Sequence, residues 1–303
     1  MSRGVLADIG VVATCEVQQA LRKRLLIVLL LGYATATGAA HWGFVQGLKE
    51  LEGQVAVAMG VSRTERPGAL IAEVLKSKDL RHFLGDLVGD SARLDALLDV
   101  PVLALWSGAV AMVLLPVFLM ASTSTTVSVE LETRSIRFLA LRTERLPIVL
   151  GKLAGQLVMG ALAGLAGVVV TELVGLTLMV QVPPVALATG SLEHMARAML
   201  FALPYAGLGL CVSQWLARAN VARVVALVVL VAITIANPVL SAYADASPVG
   251  RLADLTRLLL PGTGWGDVWQ DDPLALALTA ARMVVVTVAW VALGYWRFDR
   301  RDL

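Results

Sequence analysis

The 303-residue chain is 58% hydrophobic and only 16% charged, where soluble domains run at roughly 45–50% and about 25%, and its mean hydropathy is +0.77. So few charges cannot coat a water-exposed surface, which excludes a soluble enzyme built on one core and, for the same reason, a disordered chain. A net charge of +2 leaves no basic footprint for nucleic acid, and Cys15 and Cys211 have neither metal-ligand spacing nor the partners of a disulfide framework.

The first segment, 1–24, carries Leu6, Ile9, Ala13, Val17 and Ala20 at helical spacing, with Asp8, Cys15, Gln19 and Arg22 on another face. It reads as an amphipathic helix lying along an interface. A membrane-crossing helix needs about 20 mostly apolar residues. Six stretches qualify: 25–40, 100–129, 153–179, 198–217, 224–244 and 274–296. The first follows Arg22-Lys23-Arg24 and lacks the small-residue cleavage site of a signal peptide. The fold class is therefore all-α: a polytopic membrane protein of six spans over 25–303, with an interfacial helix before them. Pro116 and Pro204 fall inside the second and fourth spans and read as kinks.

Six spans put both termini on one side, and charge chooses the side. The segments 1–24, 130–152, 217–223 and 297–303 together hold 14 Lys and Arg against 7 Asp and Glu, whereas 245–273 holds two Arg and five Asp. The basic excess faces the cytoplasm, so both termini are expected there. The insertion 41–99 then lies outside. Its later part keeps an i, i+3, i+4 rhythm (Leu70, Ile71, Val74, Leu75; Phe83, Leu84, Leu87, Val88) and predicts short helices broken near Pro67-Gly68 and Gly89. Some 55 residues are marginal for an independent domain, so it is expected to pack on the spans, on a second copy, or on an extracytoplasmic partner. His82, Asp86 and Asp90 share one helical face there, but without a second ligand cluster they read as a solvated face, and no metal is expected.

The cytoplasmic segment 130–152 mixes Glu130, Glu132, Arg134, Arg137, Arg142, Arg145 and Lys152 with Ile136, Phe138, Leu139, Leu141 and Leu150. A plain solvated loop has little use for that apolar content. The pattern predicts short amphipathic helices, bent near Pro147, that offer charge and apolar contact to a cytosolic partner.

At these residues the chain resembles the ABC-2 type permeases, the membrane subunits of bacterial ATP-driven exporters. Glu130 and Glu132, then Phe138-Leu139, Arg145 and Ile148-Val149-Leu150-Gly151-Lys152 follow the order of that family's first inner loop, with residues 133–136 standing where the family has Gly-Thr. The run from Glu16 to Leu31 resembles its lead-in to the first span, and Trp296-Arg297-Phe298-Asp299 its exit from the sixth. The resemblance implies a permease in the bacterial inner membrane that forms an export pathway as a dimer, with an identical or paralogous copy. ATP and Mg would bind separate cytosolic ATPase subunits, and Glu130, Glu132, Arg134, Arg137, Phe138, Arg142 and Arg145 would couple to them. This chain would hold no cofactor and would not itself be an enzyme, consistent with its lack of a G-x-x-x-x-G-K-[ST] loop. A stand-alone secondary transporter or channel is the alternative.

Two charges fall within spans. Glu172 lies 20 residues past Lys152, about 30 Å along a helix, and Arg282 nine residues past Pro273, about 13 Å. These depths match if the two residues approach from opposite ends, so an ion pair or a shared watery vestibule is expected. Separate snorkelling of each to the interface is the other arrangement the sequence allows. Gly151, Gly155, Gly160, Gly164 and Gly167 line the third span and are expected to pack within one protomer.

Overall fold

The computed structural model describes residues 2–22, 24–59, 66–68, 100–180, 182–244, 256–270 and 272–301. In chain order these form α1 (Ser2–Arg22), α2 (Leu25–Met59), α3 (Val102–Thr126), α4 (Ser128–Glu132), α5 (Ile136–Ala140), α6 (Arg145–Leu178), α7 (Pro184–Trp215), α8 (Ala219–Ala244), a 3-10 turn at Asp267–Trp269, and α9 (Pro273–Asp299). No strand occurs among the described residues. Among the described residues, six helices are long and apolar enough to cross a bilayer. The protein is a multi-pass, all-α membrane protein.

Exposed surface along these helices is strongly apolar. Val158, Leu162, Leu165, Val169, Leu173 and Leu176 mark it on α6, and Val284, Val285 and Val288 on α9. Water would not tolerate such patches, but lipid does. The buried side of the spans is also largely apolar but carries Ser, Thr and Gln as well, among them Thr123, Ser124, Thr171, Ser213 and Gln214. Such polar residues are expected where lipid supplies no hydrophobic drive and helices associate through small and polar side chains.

Several helices outrun the apolar stretches that predict them. α2 has 35 residues, about 50 Å of helix, and continues through His41, Lys49, Glu50 and Glu52 to Met59. The sequence has no proline to stop it before Pro67, so the first part of the expected outer insertion is a helical extension. Residues 69–99, with His82, Asp86 and Asp90, lie outside the described residues. α6 starts at Arg145 rather than 153, because Pro147 falls in its first turn, where a missing N–H costs nothing. α7 starts at Pro184 rather than 198 for the same reason.

The described chain divides into two compact units. One comprises Met1–Val28, Leu114–Leu162 and Met199–Leu303; the other comprises Leu29–Val113 and Ala163–Ala198. In the first, Val127, Ile136, Ile148, Val149, Leu210, Val291 and Phe298 form one buried apolar cluster drawn from α5, α6, α7, α9 and the α3–α4 junction. In the second, Leu103, Ala104 and Leu187 are packed by Phe44, Trp106 and Val174, and the Phe44 and Trp106 rings stack with centroids 4.8 Å apart.

The glycine face of α6 is covered by this chain's own helices. A Cβ on Gly151 would come within 2.6 Å of Val12 Cβ, and one on Gly155 within 2.9 Å of Glu16 Cβ. Gly160 faces Leu119, and in the other unit Gly167 faces Tyr33. α1 is therefore docked on α6 by one side. Val12 and Ala20 are buried, while Leu6, on the apolar stripe expected to lie along the interface, is 74% exposed. Replacing Gly151 by Ala is expected to cost about 1–3 kcal/mol through overpacking and to accelerate hydrogen exchange across α1. Gly10→Ala, where nothing lies within 4 Å, should leave that exchange slow.

Candidate functional site

The segment linking α3 to α6 is a chain of short turns held from several directions. At the α3–α4 break, the N–H groups of Val127 and Ser128 lose their helical acceptors. Ser213 Oγ on α7 accepts both, at 2.8 and 3.0 Å. α4 then ends at Thr133, and Arg134 turns the chain in a left-handed conformation at φ 58°, a geometry that costs a residue with a Cβ roughly 1–2 kcal/mol. The turn aims α5 so that Ile136 enters the buried cluster.

Charges here fall into an inward and an outward set. Lys152, only 2% exposed, donates to Glu130 Oε1 at 2.7 Å and to Glu16 Oε2 at 3.0 Å. Gln156 Nε2 donates to the other Glu16 oxygen at 3.3 Å. A buried ammonium is tolerated only when paired and hydrogen-bonded, and two carboxylates supply that. The triad ties α1, α4 and α6 together. Glu132 accepts the N–H of Ala219 at 2.9 Å, so a carboxylate stands at the positive end of α8, where the helix dipole favours it. Arg145 Nη1 donates to the carbonyls of Phe298 and Arg301, at 3.0 and 3.2 Å, and also to that of Asp299, while its guanidinium stands 5.8 Å from the Phe298 ring centroid. It thus satisfies carbonyls that the end of α9 leaves open. Close by, Arg301 Nη2 donates to the Trp215 carbonyl at 3.3 Å. Burial, and then neighbouring Arg297, lower the Arg301 pKa below the usual arginine value.

The outward set is different in kind. Arg134, Arg137 and Arg142 are exposed, and between them stand Phe138 and Leu141, 74% and 83% exposed. Of the seven residues expected to face a partner, then, Arg134, Arg137, Phe138 and Arg142 point out. Glu130 and Arg145 are turned into the fold by identifiable partners, while Glu132, itself exposed, is held at the start of α8. The exposed residues of the segment are three arginines around an apolar centre, with Glu132 and Glu144 also exposed.

A second polar assembly lies in the other unit, at positions the sequence reading put at the outer edge of the membrane. His41, fully buried, approaches the Thr37 carbonyl with Nδ1 at 2.6 Å and Thr171 Oγ1 with Nε2 at 3.1 Å. Thr171 Oγ1 is 3.0 Å from Ser107 Oγ. With Nδ1–H donating to Thr37, Nε2 is left as an acceptor facing Thr171 Oγ1, whose proton is shared with the Gly167 carbonyl at 2.9 Å, so one polar string stitches α2, α6 and α3. Glu172 stands beside it in sequence, half-buried, and its Oε1 has no hydrogen-bond partner among the described residues. Arg282, in the first unit, donates to Thr263 Oγ1 at 2.5 Å and has Asp267 Oδ2 at 3.6 Å. No cluster of three or more metal-ligating side chains occurs among the described residues.

The loop architecture, the six apolar helices and the exposed arginines agree with a comparison against protein families. The profile described as ABC-2 family transporter protein matches residues 11–303, nearly the whole chain. This chain belongs to that family. A comparison with curated proteins finds no match. An ABC-2 permease is the membrane component of an ABC-type transporter, a family that works in general with ABC ATPases. The triad at Lys152 is the part of this permease that the sequence did not disclose. Drawing the third span from 153 left Lys152 in water, whereas the helix beginning at Arg145 carries it two turns inside.

Lys152→Met leaves two carboxylates buried without their cation and is expected to cost about 3–5 kcal/mol, read as a fall in thermal midpoint of the purified permease. Combining it with Glu16→Gln and Glu130→Gln should recover most of that loss, since no uncompensated charge then remains.

Proposed function

We propose that this chain is the permease of an ATP-driven exporter in the bacterial inner membrane. It works as a dimer, and its 130–152 segment couples it to separate cytosolic ATPase subunits. The observation that carries the coupling is the division of charges just described. Glu130 and Arg145 are consumed by internal contacts and Glu132 by the start of α8, and the loop turns Arg134, Arg137, Arg142, Phe138 and Leu141 outward. Exposed aromatic and apolar side chains framed by arginines are the composition of a protein-binding hot spot. A partner surface that fits is an apolar groove with an acidic rim. Because α4 and α6 are locked through Lys152, and Arg145 holds the end of α9, a push on α5 would be passed to several spans as a rigid displacement. ATP and Mg belong to the partner in this reading.

Orientation follows from charge. The segments 1–24, 130–152, 217–223 and 297–303 hold a twofold excess of basic over acidic residues, which supports cytoplasmic termini. Sequence depth also supports the proposal that Glu172 and Arg282 pair, as a second partner for Arg282 beside Asp267.

Two experiments follow. Reversing Arg134, Arg137 and Arg142 to Glu, or replacing Phe138 by Ala, should weaken the complex with the ATPase by about 30-fold or more, roughly 2 kcal/mol. The thermal midpoint of the isolated permease should not change. Unaltered assembly and unaltered stimulation of ATP hydrolysis would remove the docking assignment. For the ion pair, Glu172→Gln and Arg282→Gln singly should each lower stability or transport more than the double variant. Additive losses would remove the pairing and leave each charge to its own surroundings.

A further inference from the structure

Within the first unit, α7 is held to two neighbours in different ways. Toward α3 it is bonded as well as packed. Gly209 lies against Met120 and Thr123, and one turn on, Ser213 Oγ accepts the N–H groups of Val127 and Ser128. Toward α9 the contact is steric. A Cβ on Gly207 would stand 2.9 Å from the Thr287 carbonyl oxygen, and one on Gly294 2.8 Å from Cys211 Cα, both well inside ordinary van der Waals contact. The two contacts advance together along α7 and α9, so the helices run side by side in the same direction, each contributing one glycine. Glycine removes the side-chain ridges that would interlock, which makes the seam smooth as well as tight.

The polar groups on this seam do not bond across it. Thr287 spends its hydroxyl on the Met283 carbonyl of its own helix, at 2.7 Å. Gln214 is fully buried, yet neither its Nε2 nor its Oε1 has a hydrogen-bond partner among the described residues. The amide fills the gap that Gly294 leaves, for a Cβ there would meet Gln214 Oε1. An amide taken out of water and given nothing in exchange disfavours the state that buries it. Gln214 is also one residue from the end of α7, so water is within reach once α9 moves aside. Apolar contact opposes that movement: Leu210 of α7 meets Val291 and Phe298 of α9 in the buried cluster. The closed seam is thus a balance between apolar packing and one unmet amide, and parting it gives up no hydrogen bond between the two helices there.

The surrounding ties favour the same line of separation. Ser213 binds α7 to the end of α3, while Arg145 binds the end of α9 to the start of α6. A link between the two helix ends, from Arg301 Nη2 to the Trp215 carbonyl at 3.3 Å, lies past the seam, where it can act as a hinge.

We propose that α9 parts from α7 along this seam, exposing Gln214 and Cys211 to water, and that this opening is the movement the 130–152 segment drives through Arg145. The second half rests on the coupling role proposed above; the first does not.

The chain supplies its own reporter. Cys211 is buried on the seam and Cys15 is exposed, so in the full-length Cys15→Ser permease Cys211 is the one thiol left. Its rate of labelling by N-ethylmaleimide in lipid nanodiscs reads the opening. Gln214→Leu removes the unmet amide and should slow labelling about tenfold while raising the thermal midpoint. Gln214→Glu is harder still to bury and should speed labelling about tenfold. Gly151→Ala loosens α1 on α6, away from the seam, and should leave the rate within about twofold. If Gln214→Glu does not fold, the other two variants decide. A lower midpoint or faster labelling in Gln214→Leu means that the amide is satisfied in the closed state, and overturns the proposal. So does equal acceleration in Gly151→Ala, since Cys211 is then reached by general loosening. In an assembled complex with the ATPase, ATP should change the Cys211 rate about threefold or more; a rate indifferent to ATP overturns the drive through Arg145. Failure of an ATPase to assemble counts against the coupling role itself, and the variants of the lone permease still decide the seam.

Discussion

The buried ammonium of Lys152 is the constraint on which the link between α3 and α6 depends. A cation 2% exposed must find anions inside the protein, and it finds them on two different segments, Glu16 of α1 and Glu130 of α4. Burial and pairing require one another. Without the carboxylates the ammonium could not enter the fold, and without the ammonium two carboxylates would face each other at short range. The glycines on the same face of α6 make the arrangement sterically open, since Gly151 and Gly155 let α1 come close enough for Glu16 to reach. Small residues and a buried ion thus act together: the first sets the distance between helices, the second fixes which residues meet.

Consequences spread outward from that lock. With Glu130 spent on Lys152 and Glu132 on the start of α8, the arginines outnumber the free carboxylates on the exposed side of the linking segment. Arg145 is spent at the end of α9. What remains for a partner is three arginines around Phe138 and Leu141. A segment that mixes both signs in sequence thus sorts its charges in space, with Lys152 and Glu130 inside and Arg134, Arg137 and Arg142 outside. The same helix, α6, also carries Thr171 of the His41–Thr171–Ser107 string in the other unit. Both polar assemblies join helices that lipid gives no hydrophobic reason to associate.

The family assignment and the geometry bear on different questions. Membership in the ABC-2 transporters says that the chain is a membrane component of an ABC-type system. It does not by itself distinguish the residues that hold the loop in place from those left open to a partner. That distinction comes from the partners each side chain has. Removing an inward residue should damage the permease itself, whereas removing an outward one should damage only its assembly.

Much of the architecture was legible in the amino-acid sequence. Apolar stretches long enough to cross a bilayer, separated by charged segments, leave few alternatives to a helical bundle in lipid, and the run from Glu130 to Lys152 carries the family's order of residues. Helix ends were less legible, because span length is read from hydropathy while a helix stops only where backbone geometry stops it. α2 passes its last apolar run and continues through Lys49 and Glu52, and α6 begins two turns before Lys152. Only the tertiary structure decided which charges face inward. Glu130 and Glu132, or Arg142 and Arg145, are neighbours of like type in the sequence, and nothing local separates their roles. The separation arises because α1, α8 and the end of α9, distant along the chain, arrive where Lys152 needs a second anion, Ala219 an acceptor and Phe298 a donor.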